Sequence, residues 1–479
     1  MSQDLSSVLR RRGRQYAGEL LKLLGVSRPT LMRAVQAAGA DVVVRGRARR
    51  TAYAARRALR GSLSALPLYR VDEAGQVQEI ARLDLTYPDG CALEFLQDFG
   101  WPTEVGAMSE GWFEGLPYPL QDMRPQGFLG RHFARRHATL LQVPENPTLW
   151  TDDDALHALS LMGADTPGNL ILGEAACRAW LDQVQGHRQA PGAHGWAEDE
   201  LAEAYPRLAE QALAQGVPGS SAGGEFPKFT ALRREAAQHV LVKFSGSDRA
   251  PGTQRWADLL VCEHLAGQVL QDQLGIRAAA SRILSSDGRT FLEVARFDRH
   301  GLFGRSGLVS WAALDGAFFG TAGRPWGEAG RRLEERGWLS AQEAEQLARL
   351  WHFGQLIGNS DMHDGNLSFQ LSTGPSGSDG AGGPQLSSQR SVTRQGPSLR
   401  LAPVYDMLPM RYAPVQGMEL LMRDITPRLP LPSEQAAWQV AARAALVFWQ
   451  TSAEDPRISA GFRQVCGGNA GVLAGVMAV

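Results

Sequence analysis

The chain is poor in cysteine. Its 479 residues hold four, Cys91, Cys177, Cys262 and Cys466, scattered so widely that no CxxC occurs. A zinc knuckle and a dithiol redox motif are excluded, and a reducing cytosol is the expected setting. Long apolar runs are missing as well. The N-terminus has no h-region, and the apolar tail from Gly471 to Val479 is too short to span a bilayer, so no membrane partner is expected. Net charge is almost absent, at −1, but it is unevenly spread. Residues 1–60 carry 14 Lys/Arg against Asp4, Glu19 and Asp41, a surplus of +11 that leaves −12 on the remainder. A basic first segment on an acidic body points to a polyanion partner for that segment. The length calls for two or three domains.

What the chain does have is a short polar loop, Gly358-Asn359-Ser360-Asp361-Met362-His363-Asp364-Gly365-Asn366. Leu347, Leu350, Trp351, Gly354 and Ile357 lie on one face of a predicted helix that Gly358 stops. Leu367, Phe369 and Leu371 then alternate with polar residues, as in a strand. Asp361 and Asn366 stand five positions apart, the separation of the base and the magnesium-binding Asn in a kinase catalytic loop. A second acid, Asp406 after Tyr405, ends the next predicted strand. Taken alone, Asp361 and Asn366 read better as turn formers. With Asp406 downstream and a lysine upstream, phosphoryl transfer is the better reading, because that chemistry rests on positioning and charge neutralisation.

The upstream part is the stretch from Pro218 to Lys228, rich in small residues whose backbone N–H groups can close around a phosphate. It is neither a Walker A nor a GxGxxG motif. His239 to Phe244 reads as a strand, and Lys243 on it stands where kinases place the lysine that meets the nucleotide phosphates. A helix from about Gln254 to Gln271 carries Glu263, which reads as an ordinary surface acid, a pairing with Lys243 being the less favoured role. Phe291 to Val294, followed by Arg296-Phe297-Asp298-Arg299, reads as a strand running into a hinge whose backbone meets adenine.

In the basic segment, Ala17, Leu20, Leu21 and Leu24 form one helical face, and Ser27 can cap a second helix buried through Leu31, Val35 and Ala38. A hairpin follows, Asp41 to Arg45 and Thr51 to Ala54 around the turn Gly46-Arg47-Ala48-Arg49-Arg50. Two helices and a basic hairpin spell a winged helix-turn-helix. Arg28 and Arg33 are placed to face a major groove of double-stranded DNA, and Arg45, Arg47, Arg49 and Arg50 to meet phosphates. The alternatives are a winged helix for protein contacts and a merely solvated arginine-rich face. Between 66 and 215 no chemistry is legible: short strands from Pro67 to about Leu85, an aromatic stretch from Gly100 to Ala134, and Asp152-Asp153-Asp154 as a helix cap. Residues 372–398 are too rich in Gly, Ser, Pro and Gln for a core and read as a disordered insertion.

The order of Ser221-Ala222-Gly223-Gly224-Glu225-Phe226-Pro227-Lys228, Val242-Lys243-Phe244, Arg296-Phe297-Asp298-Arg299, Gly358 to Phe369 and Tyr405-Asp406 resembles HipA-type kinases, toxins of bacterial type II toxin–antitoxin systems. The winged-helix start and Leu120 to Arg131 resemble the YjjJ-like branch. The resemblance covers roughly 65–479 and implies an α+β, two-lobed fold related to protein and lipid kinases, with a mainly helical C-lobe. It implies ATP and Mg²⁺ as cofactors and phosphorylation of a protein Ser/Thr in the cytoplasm, nucleoid-associated when DNA is bound. By position it makes Asp361 the catalytic base and Asn366 and Asp406 the magnesium ligands. It gives ATP contacts to Ala222, Gly223, Gly224, Glu225, Phe226, Lys228, Lys243, Ala295, Arg296, Phe297, His363 and Tyr405, and makes Ser221 the autophosphorylation site. Glu225-Phe226 replace the family's usual Ala-Gln. The family's usual partner is a separate helix-turn-helix antitoxin, whereas here a DNA-binding element stands in the same chain. The expected domains are 1–65, the winged helix; 66–300, the N-terminal region and kinase N-lobe; and 301–479, the C-lobe. Two rival readings are a small-molecule phosphotransferase and a transcription regulator whose kinase-like body senses nucleotide.

Overall fold

The computed structural model describes residues 4–190, 192, 194–214, 226–372, 398–415, 419–420 and 423–478. Contacts divide the chain into two compact units, Met1–His194 with Asp298–Gly307, and Gly195–Phe297 with Leu308–Val479.

The first unit opens with α1 (Leu5–Arg12), α2 (Ala17–Leu24) and α3 (Arg28–Ala38). Their apolar faces close on Leu5, Val8, Leu9, Leu20, Leu31, Val42 and Tyr53. Ser27 is the N-cap residue of α3 and Pro29 lies in its first turn, where a missing N–H costs nothing. The strands Val42–Arg45 and Ala52–Ala55 pair antiparallel, as the sequence pattern indicates. Their other face is not free. Val43, Ala52 and Ala54 share a core with Ala92 and Trp112 of a five-stranded sheet. That sheet runs, edge to edge, Trp112–Phe113, Cys91–Phe95, Val77–Leu85, Leu66–Val71 and Leu170–Leu172. Around it lie α4 (Tyr118–Gln121), α5 (Gly127–Leu141), α6 (Asp152–Met162) and α7 (Glu174–Gln189). The Asp152–Asp154 run does cap α6, through a box with Thr151, and each carboxylate also meets an arginine: Arg124, Arg57 and Arg60 in turn.

The second unit begins with α8 (Leu201–Ala214), packed on a four-stranded antiparallel sheet in the order Ser281–Ser286, Arg289–Ala295, Gln238–Phe244, Lys228–Arg233. The long α9 (Pro251–Leu274) follows the Gln238–Phe244 strand. Leu259, Leu260, Val261 and Cys262 on it are all buried, and each buried aliphatic side chain contributes about 1.5–3 kcal/mol. The remainder is mainly helical: α10 (Trp311–Phe318), α11 (Trp326–Glu335), α12 (Ala341–Leu356), α13 (Gln435–Glu454) and α14 (Ala460–Met477). A small sheet, Leu308–Ser310, Ser368–Leu371 and Leu399–Leu401, lies among them. The Ser372 N–H bonds the Ser398 carbonyl at 2.9 Å, so the two ends of the 372–398 insertion are held together, while residues 373–397 lie outside the described ones.

α9 is pinned to this helical part. Asp258 accepts from the Ser459 N–H at 2.8 Å and its hydroxyl at 2.6 Å, and the Arg255 guanidinium lies 4.0 Å over the Phe462 ring. An antiparallel sheet with one long helix, followed by a helical body, is the α+β two-lobed arrangement of kinase-like folds. No described helix is long and apolar enough to cross a membrane.

Candidate active site

The site of the second unit is built around Lys243. The strand pattern of Gln238–Phe244 turns Val240, Val242 and Phe244 into the core, and Lys243 too is buried, 3% exposed. A buried ammonium needs partners. Its Nζ donates to Glu263 Oε1 at 2.6 Å and Oε2 at 2.8 Å, and it is also paired with Asp406. Burial alone would lower the lysine; Asp406 and Glu263 outweigh it and hold it above the ordinary lysine value. Burial likewise raises Glu263, more than Lys243 draws it down. At Asp406 burial works in the same upward sense, but Lys243, Lys228 and His363 prevail and its carboxyl sits below the ordinary range. Lys228 stands directly across the sheet from Lys243. Two neighbouring cations facing two carboxylates make a polar cleft inside an apolar sheet.

Glu263 is the point where the sequence reading fails. It is not a surface acid but a buried one, 8% exposed, on the face of α9 that meets the sheet. The available signal was its setting: an acid flanked by Leu259, Leu260, Cys262 and Ala266 has to find a cation.

The catalytic-loop candidates gather beside this cluster. α12 ends as the pattern of Leu347 to Ile357 predicts, and Gly354 in its last turn leaves the room in which Met362 packs. Asn359 then orders the loop: its Oδ1 accepts from the Asp361 N–H at 3.0 Å, and its Nδ2 donates to the Asp406 carbonyl at 3.3 Å. Asp361 is exposed. Asn366 Nδ2 donates to the Asp361 carbonyl at 2.9 Å, closing the loop on itself. His363 Nδ1 accepts from the Gly365 N–H at 3.1 Å. Asp406 has φ +54, a left-handed backbone uncommon for a non-glycine residue and the kind of strain that clusters at functional sites.

Tyr405 links the loop to the predicted hinge. Its hydroxyl bonds Ser368 Oγ at 2.7 Å and the Gly365 carbonyl at 3.1 Å, while its ring stacks on Phe297 at 5.9 Å between centroids. At the hinge the Ala295 and Arg296 N–H groups bond the Ala280 and His239 carbonyls, and Gln370 reaches the Phe297 carbonyl. Those groups hold the strand ends together. Phe226 is buried edge-on against Trp256, anchoring the end of the small-residue stretch to α9. Ser221, Ala222, Gly223, Gly224 and Glu225 lie outside the described residues.

Among the N-terminal arginines, Arg28 and Arg33 are exposed on α3, and Arg47, Arg49 and Arg50 are exposed between the two strands, with Arg50 3.5 Å from Glu110. Arg45 is directed elsewhere: its Nη2 lies 2.7 Å from the buried Asp84, which Arg56 also pairs at 3.2 Å.

A strand lysine clamped by a helix glutamate, an Asp/Asn loop and a strained aspartate define the second unit as kinase-like. Residues 220–457 match the HipA-like C-terminal domain, and residues 62–181 match the middle domain of YjjJ-like toxins. Over 457 residues the chain is 39% identical to Toxin YjjJ of Escherichia coli (strain K12), covering 95% of this chain and 93% of that protein. The chain therefore belongs to the YjjJ-like toxins of the HipA-type family. Among solved structures, HipA of Shewanella oneidensis MR-1, in a complex with HipB and its operator DNA, aligns at 15% identity and TM-score 0.48, over 86% of this chain and 96% of that one. The Helicobacter pylori proinflammatory kinase CtkA aligns at 11% identity and TM-score 0.32, over 52% of this chain and 92% of its own. Both likenesses are too loose to add to the fold.

Proposed function

We propose that the chain is an ATP-dependent kinase that phosphorylates Ser/Thr of a protein, and that it phosphorylates itself at Ser221. The observation that carries this reading is Lys243 held between Glu263 and Asp406 in the same unit as the Asp361–Asn366 loop. The residues fit the implied cofactors. Asp406 and the Asn366 amide oxygen are hard donors of the type Mg²⁺ takes, usually one or two per ion, with phosphates and waters supplying the rest. The strain at Asp406 and its pairing with Lys243 support a carboxylate kept ready for a cation. Bound Mg²⁺–ATP supplies the phosphoryl group and neutralises its charge.

The protein's own part is positioning. Lys243 and Lys228 draw the phosphates to the sheet edge, and Glu263 keeps Lys243 pointed there. Phe297 and Tyr405 offer aromatic faces for a base. Asp361, exposed at the loop, orients the acceptor hydroxyl and takes its proton. Incubation with labelled ATP tests the reading: label in protein, lost in Asp361→Ala, supports it, whereas label passing only to a small molecule favours the phosphotransferase alternative.

We also read the first unit as binding duplex DNA in cis, through Arg28 and Arg33 in the groove and Arg47, Arg49 and Arg50 on phosphates, with Arg45 acting instead as a tie to Asp84. A helix-turn-helix antitoxin is the family-type protein partner. Both roles place the chain in the cytoplasm.

A further inference from the structure

Asp364 lies in the same loop but has no part in the reading above, which concerns Asp361, Asn366 and Asp406. It opens the short turn Asp364–Asn366, three positions after the base. Its Oδ2 accepts from the Gly323 N–H at 2.9 Å, across 41 residues of sequence. Gly323 belongs to the segment Phe319–Pro325 that joins α10 to α11. The first half of that segment is fixed by the buried Asp315. The Asp315 carbonyl accepts from Phe319 at 2.9 Å and Gly320 at 2.7 Å, and its carboxylate accepts from the Thr321 N–H at 2.7 Å and the Thr321 hydroxyl. α10 itself is tied to the loop's exit, because the Trp311 N–H bonds the Leu367 carbonyl at 2.7 Å. Two carboxylates thus strap one exposed stretch, Ala322-Gly323-Arg324, against the catalytic loop.

At the centre of that stretch the surface is bare backbone, because Gly323 stands between the exposed Ala322 and Arg324. Gly323 has φ +77, and a Cβ built there meets nothing within 4 Å, so the residue is glycine for its left-handed conformation and not for crowding. A backbone exposed at Gly323 and tied to the loop that carries Asp361 can meet an incoming chain that brings a hydroxyl within reach. We propose that Phe319–Pro325 is the acceptor platform and that Asp364 is the positioning residue that holds it in register with Asp361. This rests on the phosphoryl-transfer reading. Asp364 acts through the segment, not on the reacting atoms, so its removal weakens acceptor binding before it slows the chemistry.

The test uses the full chain, Mg²⁺–ATP and dephosphorylated casein as the probe acceptor, with hydrogen exchange followed on peptides covering 319–325. Asp364→Ala is expected to speed exchange at Gly323 and to raise the KM for casein about tenfold, the scale of one lost charge-assisted hydrogen bond, with the KM for ATP unmoved. Asp364→Asn, which keeps an acceptor oxygen, is expected to restore most of both. Unchanged exchange at Gly323 in Asp364→Ala, unchanged casein KM, or a kcat loss equal in the Ala and Asn variants would each overturn the proposal. Wild-type autophosphorylation without casein labelling overturns it alone. No labelling of any protein by the wild type overturns the kinase reading with it.

Discussion

Lys243→Met keeps most of the side-chain volume and removes the ammonium. Glu263, 8% exposed, and Asp406 then share a cleft without their main cation. Breaking a buried pair by removing one partner costs about 3–5 kcal/mol. Asp406 has a side chain 30% exposed, and Lys228 lies across the strand, so the lower end of the range, about 3 kcal/mol, is expected. For a body of this size that corresponds to a Tm lower by about 6 °C. The deficit should depend on pH. In the variant Glu263, already raised by burial, loses Lys243 and rises further. A carboxyl whose folded value exceeds its unfolded value, about 4.3, contributes stability below that pH and loses it as pH climbs through the folded value. The wild-type lysine is raised instead, and its contribution is fully present below about pH 10.4, so it stays constant across this window. The variant should therefore trail the wild type more at pH 8 than at pH 5. Thermal unfolding followed by tryptophan fluorescence at both pH values measures this. A deficit equal at the two pH values, or a Tm loss under about 2 °C, would refute the buried-triad argument.

Other outcomes follow from the same geometry. Asp361→Ala should abolish phosphoryl transfer yet leave stability within about 0.5 kcal/mol, since the side chain is exposed; a filter-binding assay and a melting curve on one sample decide it. Ser221→Asp should weaken ATP binding by placing negative charge in the small-residue stretch, and unchanged affinity by calorimetry would count against self-inactivation there. Changing Arg47, Arg49 and Arg50 to Ala in the full chain should lower the slope of log K against log salt by about 3, read by fluorescence anisotropy with duplex DNA. Arg28→Ala or Arg33→Ala should instead cost sequence preference, and a flat salt response in the wild type would leave the hairpin to protein contacts. The full chain is required because the hairpin shares its core with Ala92 and Trp112.

The elements that follow from local pattern were legible. α2, α3 and the hairpin were marked by apolar periodicity and the Ser27 start, and the catalytic loop by the helix before it and the alternating strand after it. What escaped depended on contacts distant in sequence. Glu263 reads as a surface acid until the sheet is laid against α9. Arg45 looks like a phosphate contact because Asp84, its partner, lies 39 positions away. α5 was hidden because arginines and histidines interrupt its buried face of Phe128, Ala134, Ala138 and Leu141, and because Gly130 packs against the Pro125 backbone, which no periodicity records. Asp364 reads as one more polar loop residue, since Gly323 offers only a main-chain N–H.

The pinning of α9 has a consequence for control. To withdraw Glu263 from Lys243 the helix would have to break both Ser459 bonds to Asp258 and lift Arg255 from Phe462. The helix is thus fastened in its first turns, through Arg255 and Asp258. A rotation of α9 that idled the lysine clamp would therefore have to undo this packing as well. On the proposed kinase reading, restraint is met most directly at the cleft itself, by what occupies it.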